Sequence, residues 1–212
     1  MEGFSDFVSK LKVAAAQELP GWAAQSNMAP PQRMKPETWA EYYKNARLGA
    51  VLILFYPHND AVHTVLIQRP TYEGVHSAQI AFPGGKKEED DQDLIQTALR
   101  EAWEEVGVRP EQVEVIGPLS ELYIPPSNFL VTPVIGISYE RPDFVAQPTE
   151  VETILETDLK LLADPSIAAM RRIKVRDMEL DSPSFDLGGS IIWGATAMMI
   201  SELNEVLKKV EW

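Results

Sequence analysis

The segment 84–107 constrains this chain more than any other part of its sequence. Glu104 and Glu105 follow Glu101 by three and four residues, so on a helix the three carboxylates share one face, next to Arg100. Like charges at this spacing repel each other by roughly 0.2–0.5 kcal/mol per pair, and only a cation among them turns that cost into a gain. The pattern predicts a helix whose acidic face binds a hard divalent cation. The alternative is an acidic face that is only solvated.

The flanking residues predict where this helix begins and ends. Asp93 with Gln96 is typical of a capping box, and Gly107 stands where a left-handed C-terminal cap belongs. Because segment 79–82 alternates in polarity before the pair 84–85, we expect a strand, a tight Gly-Gly turn, an acidic loop and the helix in that order. This order disfavours the solvated alternative. The helix also has an apolar face, formed by Leu94, Ile95, Ala98, Leu99, Ala102 and Val106.

The same segment resembles the Nudix box. Its second half, residues 100–108, matches the pattern Arg-Glu, apolar, any residue, Glu-Glu, any residue, Gly, apolar. The first half is one residue longer than the pattern and has Asp91 where the pattern has Glu. This expanded form is similar to the coenzyme A pyrophosphatase branch, which reads Phe-Pro-Gly-Gly before the acidic stretch and Thr-Ala-Leu-Arg-Glu after it. The chain has both motifs, at 82–85 and 97–101.

The resemblance implies metal-dependent hydrolysis of a pyrophosphate bond and gives the box residues roles. Glu101, Glu104 and Glu105 would bind Mg²⁺ or Mn²⁺, with the Gly84 carbonyl as an additional ligand. Carboxylate and carbonyl oxygens are the ligands that these hard ions prefer. Arg100 would orient the cluster by pairing with a neighbouring glutamate.

Two further acids have roles that the sequence leaves open. Asp91 either caps and supports the acidic loop or takes part in catalysis. Glu150, in the segment 149–152, matches the position from which the family often supplies a general base. A glutamate of the box is the alternative base, and Glu150 would then be a surface acid.

An upstream block bears on the substrate. Arg69, His76 and Gln79 fit the segment that the coenzyme A branch carries before its Phe-Pro-Gly-Gly motif. Gly74 replaces a second arginine of that segment, and Ala78 replaces a glycine. A guanidinium is the best side chain for a phosphate such as the 3′-phosphate of coenzyme A. Its absence at Gly74 keeps other diphosphate-linked nucleotides open as substrates.

The charge balance limits the partners. The net charge is −13, from 32 acids against 19 bases, which disfavours polymeric DNA or RNA. The same field repels an anionic nucleotide, so the substrate must arrive as a metal complex or meet local cations. Arg69, Lys86 and Lys87 are the candidates nearest the motif, although both lysines also fit a solubilising loop.

Length and composition predict one soluble catalytic domain with an addition in front. The 212 residues are 45% hydrophobic and contain no cysteine, which excludes disulfides and thiolate zinc sites. The apolar run 48–56 is too short to span a bilayer and we find no secretory signal, so we expect a cytoplasmic protein that does not bind membranes. We assign residues 1–47 to an N-terminal helical extension and 48–212 to the Nudix domain. The extension begins with an apolar helix face that packs on the body or on a second subunit in a homodimer, formed by Phe4, Phe7, Val8, Leu11, Ala14 and Ala15.

The order of the remaining elements predicts an α/β fold. A mixed sheet with helices on both faces fits this order, and the resemblance likewise implies a Nudix-like α/β/α sandwich. Tyr123, Phe129 and Trp103 are candidates for stacking on an adenine, and Trp193 is expected to fill core. A short helix is predicted at 36–46 and a long one at 195–210. Strands are predicted at 48–56, 62–69, 113–119, 129–138, 152–156, 172–180, 184–187 and 190–193.

The sequence therefore predicts a Mg²⁺- or Mn²⁺-dependent pyrophosphohydrolase that splits coenzyme A or an acyl derivative into 3′,5′-ADP and a 4′-phosphopantetheine. The same chemistry on ADP-ribose or a nucleotide sugar is the first alternative, motivated by Gly74 and Ala78. A non-catalytic, Nudix-like nucleotide-binding regulator is the second. A regulator would be expected to have lost glutamates of the cluster, and here the cluster is intact.

Overall fold

The computed structural model describes residues 2–33, 35, 38, 43–71, 78–175 and 178–210. Its helices are α1 (Glu2–Ala15), α2 (Trp22–Gln25), α3 (Leu94–Val106), α4 (Leu159–Ala163) and α5 (Gly194–Leu207). Its strands are β1 (Arg47–His58), β2 (Ala61–Gln68), β3 (Ile80–Ala81), β4 (Gly84–Lys86), β5 (Glu114–Pro118), β6 (Leu122–Ile124), β7 (Phe129–Ile137), β8 (Thr153–Asp158), β9 (Ala168–Val175), β10 (Met178–Leu187) and β11 (Ser190–Trp193).

Strand β1 organises the main sheet. One of its edges pairs in parallel with β7 along residues 47–55, and the other edge is shared by β2 and β4, both antiparallel. The β1–β2 hairpin closes through Asn59 and Asp60, whose φ angles of 47° and 61° are those of a tight hairpin turn. Strand β8 extends the sheet beyond β2, and β5 and β6 both pair with β7. In the described part of the chain the sheet has eight strands in mixed orientation, and β9, β10 and β11 form a separate three-stranded antiparallel sheet.

Helices cover both faces of the main sheet. Leu52 and Leu54 of β1 pack with Ala98 and Ala102 of α3 in one buried cluster. Residues 53 and 55 of the same strand point to the opposite face and pack with α1 and α5. This alternation follows from the two-residue period of a strand. The predicted α/β/α sandwich is therefore confirmed.

The N-terminal helix belongs to the buried body. The predicted apolar face is confirmed, since Phe7 and Leu11 lie in one cluster with residues of β1, β7 and α5. Phe7 contacts Phe55 edge to face, with ring centroids 5.7 Å apart. The domain boundary at residue 47 and a homodimer stay predictions.

The predicted elements at 172–180 and 36–46 differ in outcome from the others. The predicted strand 172–180 is wrong, because it covers the end of β9 and the start of β10. The apolar positions change phase between the two strands, from 173 and 175 to 178 and 180, and the prediction missed this sign of a break. Most of the predicted helix 36–46 lies outside the described residues, and its described C-terminal part includes a 3₁₀ turn at Tyr43–Asn45. The predicted strand 184–187 is the second half of β10, and the remaining strand and helix predictions agree with the observed elements to within a few residues.

Within the described ranges, no helix is both long enough and apolar enough to cross a membrane.

Shortening a buried side chain of α1 should destabilise the whole protein if the helix is part of the core. Leu11 is 0% exposed, so we expect Leu11→Ala to lower the free energy of unfolding by about 2–5 kcal/mol. Val13 on the same helix is 66% exposed, and Val13→Ala should change it by less than about 0.5 kcal/mol. Urea denaturation followed by fluorescence measures both. Equal, small effects would mean that α1 does not pack on the body in solution.

Candidate active site

The glycine pair at 84–85 is part of strand β4, so the predicted Gly-Gly turn is wrong. Gly84 pairs with Val51, and Gly85 pairs with Ala50. A Cβ on Gly84 would lie 2.5 Å from the Cα of Val51, so backbone excludes a side chain there, and one on Gly85 would lie 2.5 Å from the Glu101 carboxylate, which would have to move. The glycines are therefore required by close packing between β1, β4 and α3. The chain reverses direction afterwards, in the acidic loop before α3.

Helix α3 is capped at both ends as predicted. The Asp93 side chain accepts a hydrogen bond from the Gln96 amide at 2.8 Å, and Gly107 ends the helix with a φ of 76°. The Gln96 side chain accepts from the Gln92 amide at 2.8 Å, one residue before the position that a standard capping box uses. These caps fix the helix register, and with it the direction of Glu101 and Glu105.

Glu105 is an acid buried between α3 and the sheet. It is 1% exposed, and its Oε2 accepts a hydrogen bond from the Gly84 amide at 2.7 Å. Burial raises the pKa of Glu105 to about 7, although the nearby Arg69 guanidinium, 3.6 Å away, and the Gly84 amide oppose the rise. Arg69 also donates to the Gly84 carbonyl at 3.0 Å. A charged Glu105 is thus unfavourable unless a further cation lies beside it.

Three carboxylates converge at this point. Glu101, Glu105 and Glu150 each offer an oxygen, and these oxygens lie within 4.8 Å of one another. Burial raises the pKa of Glu101 as well, while Glu150 reaches the group from an exposed loop. Oxygen donors this close together suit a hard divalent cation, which would offset both their repulsion and the burial of Glu105.

Arg100 ties the acidic loop to the helix. Its Nε and Nη2 donate to the two oxygens of Asp91 at 3.0 and 2.9 Å, and its Nη1 donates to Glu101 and Glu104. Asp91 also accepts from the Thr97 hydroxyl at 2.9 Å. Its partner Arg100 holds the pKa of Asp91 well below the usual range, and Asp91 in turn raises the pKa of Arg100. These contacts agree with the supporting role that the sequence left open for Asp91.

Glu104 and Gly84 differ from the other predicted ligands in their contacts. The Glu104 carboxylate is half-exposed and pairs with Arg100 at 3.0 Å, and it lies outside the group of three convergent acids. The Gly84 carbonyl accepts from Arg69. Their roles as metal ligands stay predictions.

A cavity of about 740 Å³ opens beside the three acids. Glu101, Glu105 and Glu150 line it together with three of the predicted substrate-binding residues, Arg69, Gln79 and Lys86. The fourth, His76, lies outside the described residues, as does Gly74. Lys87 instead contacts the carbonyl of Asp91. The apolar part of the wall is formed by Val51, Ile124, Pro125, Pro126, Phe129, Val131, Leu180, Trp193 and Met199, among others.

The candidate aromatic residues separate into two groups. Phe129 and Trp193 line the cavity, so Trp193 is a wall residue and does not only fill core. Trp103 is 44% exposed and stacks with Arg109 on the outside of α3. Tyr123 is buried and its hydroxyl donates to Asn128 at 2.9 Å, which leaves its ring unsuited to stack on a ligand.

Arg33 is a cationic residue of the cavity wall that the sequence analysis did not single out. It precedes the main sheet, in the proline-rich segment 27–36, and its side chain lines the same cavity. No motif marks it, and only the folded structure brings it to the site.

Comparison with known proteins covers most of the chain. Residues 46–186 match the family model described as the NUDIX domain. The uncharacterised Nudix hydrolase NudL of Pectobacterium atrosepticum is 35% identical over 163 residues, which cover 74% of this chain and 81% of that protein. Nudix hydrolase 15 of Arabidopsis thaliana, described as mitochondrial, is 34% identical over 65% of this chain, which spans 47% of that protein's length.

A solved structure agrees with the fold. The Nudix hydrolase RenU from M. smegmatis superposes with a TM-score of 0.56 at 19% identity, over 79% of this chain and 89% of RenU. Since the domain match extends over more than half of the sequence and NudL is similar over most of its own length, the chain belongs to the Nudix hydrolase family.

Proposed function

We propose that this protein hydrolyses the diphosphate bond of coenzyme A or an acyl derivative, with Mg²⁺ or Mn²⁺, to 3′,5′-ADP and a 4′-phosphopantetheine. The observation that carries the chemistry is the convergence of Glu101, Glu105 and Glu150 within 4.8 Å at the wall of a large cavity. The substrate rests on the expanded box with Asp91 and on the Phe-Pro-Gly-Gly motif, which resemble the coenzyme A branch.

The three acids fit a divalent cation, and Nudix hydrolases generally use divalent metal ions. A bound cation would neutralise charge on the diphosphate and lower the pKa of a water molecule at the site. Glu105 and Glu101 would hold it from the rigid helix α3. Arg69 pairs with Glu105 and with the β4 backbone, so it would fix the direction of the Glu105 carboxylate.

Glu150 is suited to accept a proton. Its carboxylate is exposed to solvent while belonging to the acid group, so a water molecule can reach it. Two backbone hydrogen bonds hold its loop, from the Gln147 amide to the Glu105 carbonyl at 2.9 Å and from the Glu150 amide to the Gln147 carbonyl at 3.0 Å. We therefore assign Glu150 the role of general base, with the box glutamates as ligands.

The cavity surface matches the two parts of the proposed substrate. Arg69 and Lys86 lie on the acid side and would offset the charge of the diphosphate. The apolar wall around Leu180, Trp193 and Met199 would take up a long, uncharged arm such as pantetheine or an acyl chain. ADP-ribose remains the second candidate, because Gly74 lacks the arginine of the coenzyme A branch.

A substrate panel tests the proposed function. Purified protein with Mn²⁺ should release 3′,5′-ADP from coenzyme A with a kcat/KM at least tenfold above that for ADP-ribose or a nucleotide sugar, measured by chromatography of the products. A preference for ADP-ribose would establish the second candidate instead. Absence of turnover with all three would indicate a binding protein.

Removing the charge of the buried ligand Glu105 should weaken metal binding, whereas removing the charge of Glu150 should not. We expect Glu105→Gln to lower Mn²⁺ affinity and to reduce kcat by at least about 100-fold, because a buried ligand charge is lost. Glu150→Gln should reduce kcat by a similar factor and retain Mn²⁺ binding, since Glu150 is assigned to proton transfer. Glu152→Gln is the matched control, because Glu152 is an exposed acid of the same loop outside the cluster. Calorimetry with Mn²⁺ and steady-state kinetics measure these effects, and full activity in Glu105→Gln would refute its assignment.

Glu105 also predicts a pH dependence of stability in the metal-free protein. Its pKa is raised from 4.5 to about 7 in the folded state, so folding favours the protonated form. The contribution of protonated Glu105 to the free energy of unfolding is complete below pH 4.5 and is lost as the pH rises through about 7. Relative to Glu105→Gln, wild type should lose on the order of 1–3 kcal/mol between pH 5 and pH 8. Urea denaturation with a chelator at both pH values measures this difference, and a constant difference would contradict the raised pKa.

A further inference from the structure

Arg33 is a cation on the wall of the cavity, away from the acid cluster. It comes from the proline-rich segment after α2, ahead of the residues that match the Nudix domain. Its Nη2 donates to the backbone carbonyl of Tyr123 in β6. The guanidinium therefore lies against the β6 side of the cavity.

No carboxylate balances this charge in the described part of the chain. Arg69 and Arg100 form ion pairs with carboxylates, whereas Arg33 forms none with the described residues. The Nε of Arg33 has no hydrogen-bond partner among them. Burial lowers the pKa of Arg33 to about 10, so it stays cationic at neutral pH. A partly buried charge without a counter-ion is unfavourable, and a guanidinium offers five donors of which the Tyr123 carbonyl takes one. These properties fit a place where an anion binds.

Sheet geometry separates this anion from the diphosphate. Strand β4, whose Gly84 amide donates to Glu105 of the acid cluster, is separated from β6 by β1 and β7. With neighbouring strands about 4.8 Å apart, Gly85 and Tyr123 are roughly 14 Å apart across the sheet. Arg33 and the acids nevertheless line one continuous cavity. A single ligand can thus reach both if it carries a second anionic group besides its diphosphate.

We infer that Arg33 binds a phosphomonoester that the substrate carries in addition to its diphosphate, and so selects a 3′-phosphorylated nucleotide. A phosphate dianion can accept two parallel hydrogen bonds from a guanidinium, carries more negative charge than a carboxylate, and is charged where a ribose is neutral. Gly74 has no side chain for this task, and Arg33 supplies the guanidinium from a different segment. The inference rests on the proposed function for the presence of the diphosphate at the acid cluster.

A pair of substrates that differ by one phosphate tests the role of Arg33. Wild type should have a KM for coenzyme A at least tenfold below that for 3′-dephospho-coenzyme A. Arg33→Gln should raise the KM for coenzyme A until the two values agree within about twofold. Arg33→Lys keeps the charge and should keep part of the preference. An equal change for both substrates, or none, would overturn the inference.

Arg47→Gln is the matched control. Like Arg33, Arg47 donates to a backbone carbonyl at or near β6, here that of Ser127 in the β6–β7 connection at 2.6 Å. Its guanidinium stacks on Phe129, but the residue is exposed and does not line the cavity. This variant should keep the wild-type preference for coenzyme A. A loss of preference in Arg47→Gln as large as in Arg33→Gln would mean that the connection is being disturbed and would count against a phosphate contact.

A binding measurement separates this inference from the proposed function. In chelator, calorimetry should show 3′,5′-ADP binding to wild type at least tenfold more tightly than 5′-AMP, and the two binding equally to Arg33→Gln. If coenzyme A is not hydrolysed but this difference is found, the phosphate site stands and the proposed function fails. If coenzyme A is hydrolysed and wild type binds both nucleotides equally, the proposed function stands and the role of Arg33 is refuted.

Discussion

The close approach of strand β4 to helix α3 is the constraint on which the site depends. Two glycines make it geometrically possible, since a Cβ at either position would lie 2.5 Å from Val51 or from the Glu101 carboxylate. With the side chains absent, the Gly84 amide can donate to Glu105, and β4 can pair with β1. The sheet edge and the acidic helix are thereby held in one register. A change of either glycine would therefore disturb the fold and the acid cluster together.

The acids of the site differ in how closely a cation of the protein approaches them. Arg100 donates hydrogen bonds directly to Asp91, Glu101 and Glu104, although its single positive charge faces three carboxylates. Glu105 is more buried, and among the described residues the Gly84 amide and a more distant Arg69 offset its charge. Burial outweighs these two partners and raises the pKa of Glu105. A bound cation would offset the charge of Glu105, so the same burial that costs stability favours metal binding.

Local patterns predicted the elements well, and long-range contacts explain the failures. The alternation in β1 and the caps of α3 at Asp93 and Gly107 depend only on residues close together in the sequence. Strand β1 and helix α3 were therefore predictable. A Gly-Gly pair is usually a turn, and only packing against β1 and α3 makes it a strand. Similarly, Glu150 joins the acids because its loop bonds to the end of α3, from the Val145 amide to the Val106 carbonyl at 3.0 Å. Sequence spacing carries no information about such a contact.

The position of Arg33 depends on how the N-terminal segment is fastened to the body. Glu202 of α5 is fully buried and accepts hydrogen bonds from the Gly21 amide at 3.0 Å, from Gln25 at 2.9 Å and from the Ser120 amide at 3.3 Å. One buried carboxylate thus joins α2, α5 and the chain just before β6, where Arg33 contacts Tyr123. The segment ahead of the Nudix domain is therefore fixed at the cavity, and the wall that faces the substrate is built partly outside the residues that define the family. We propose that in this chain the box supplies the chemistry and that the flanking segments set the specificity.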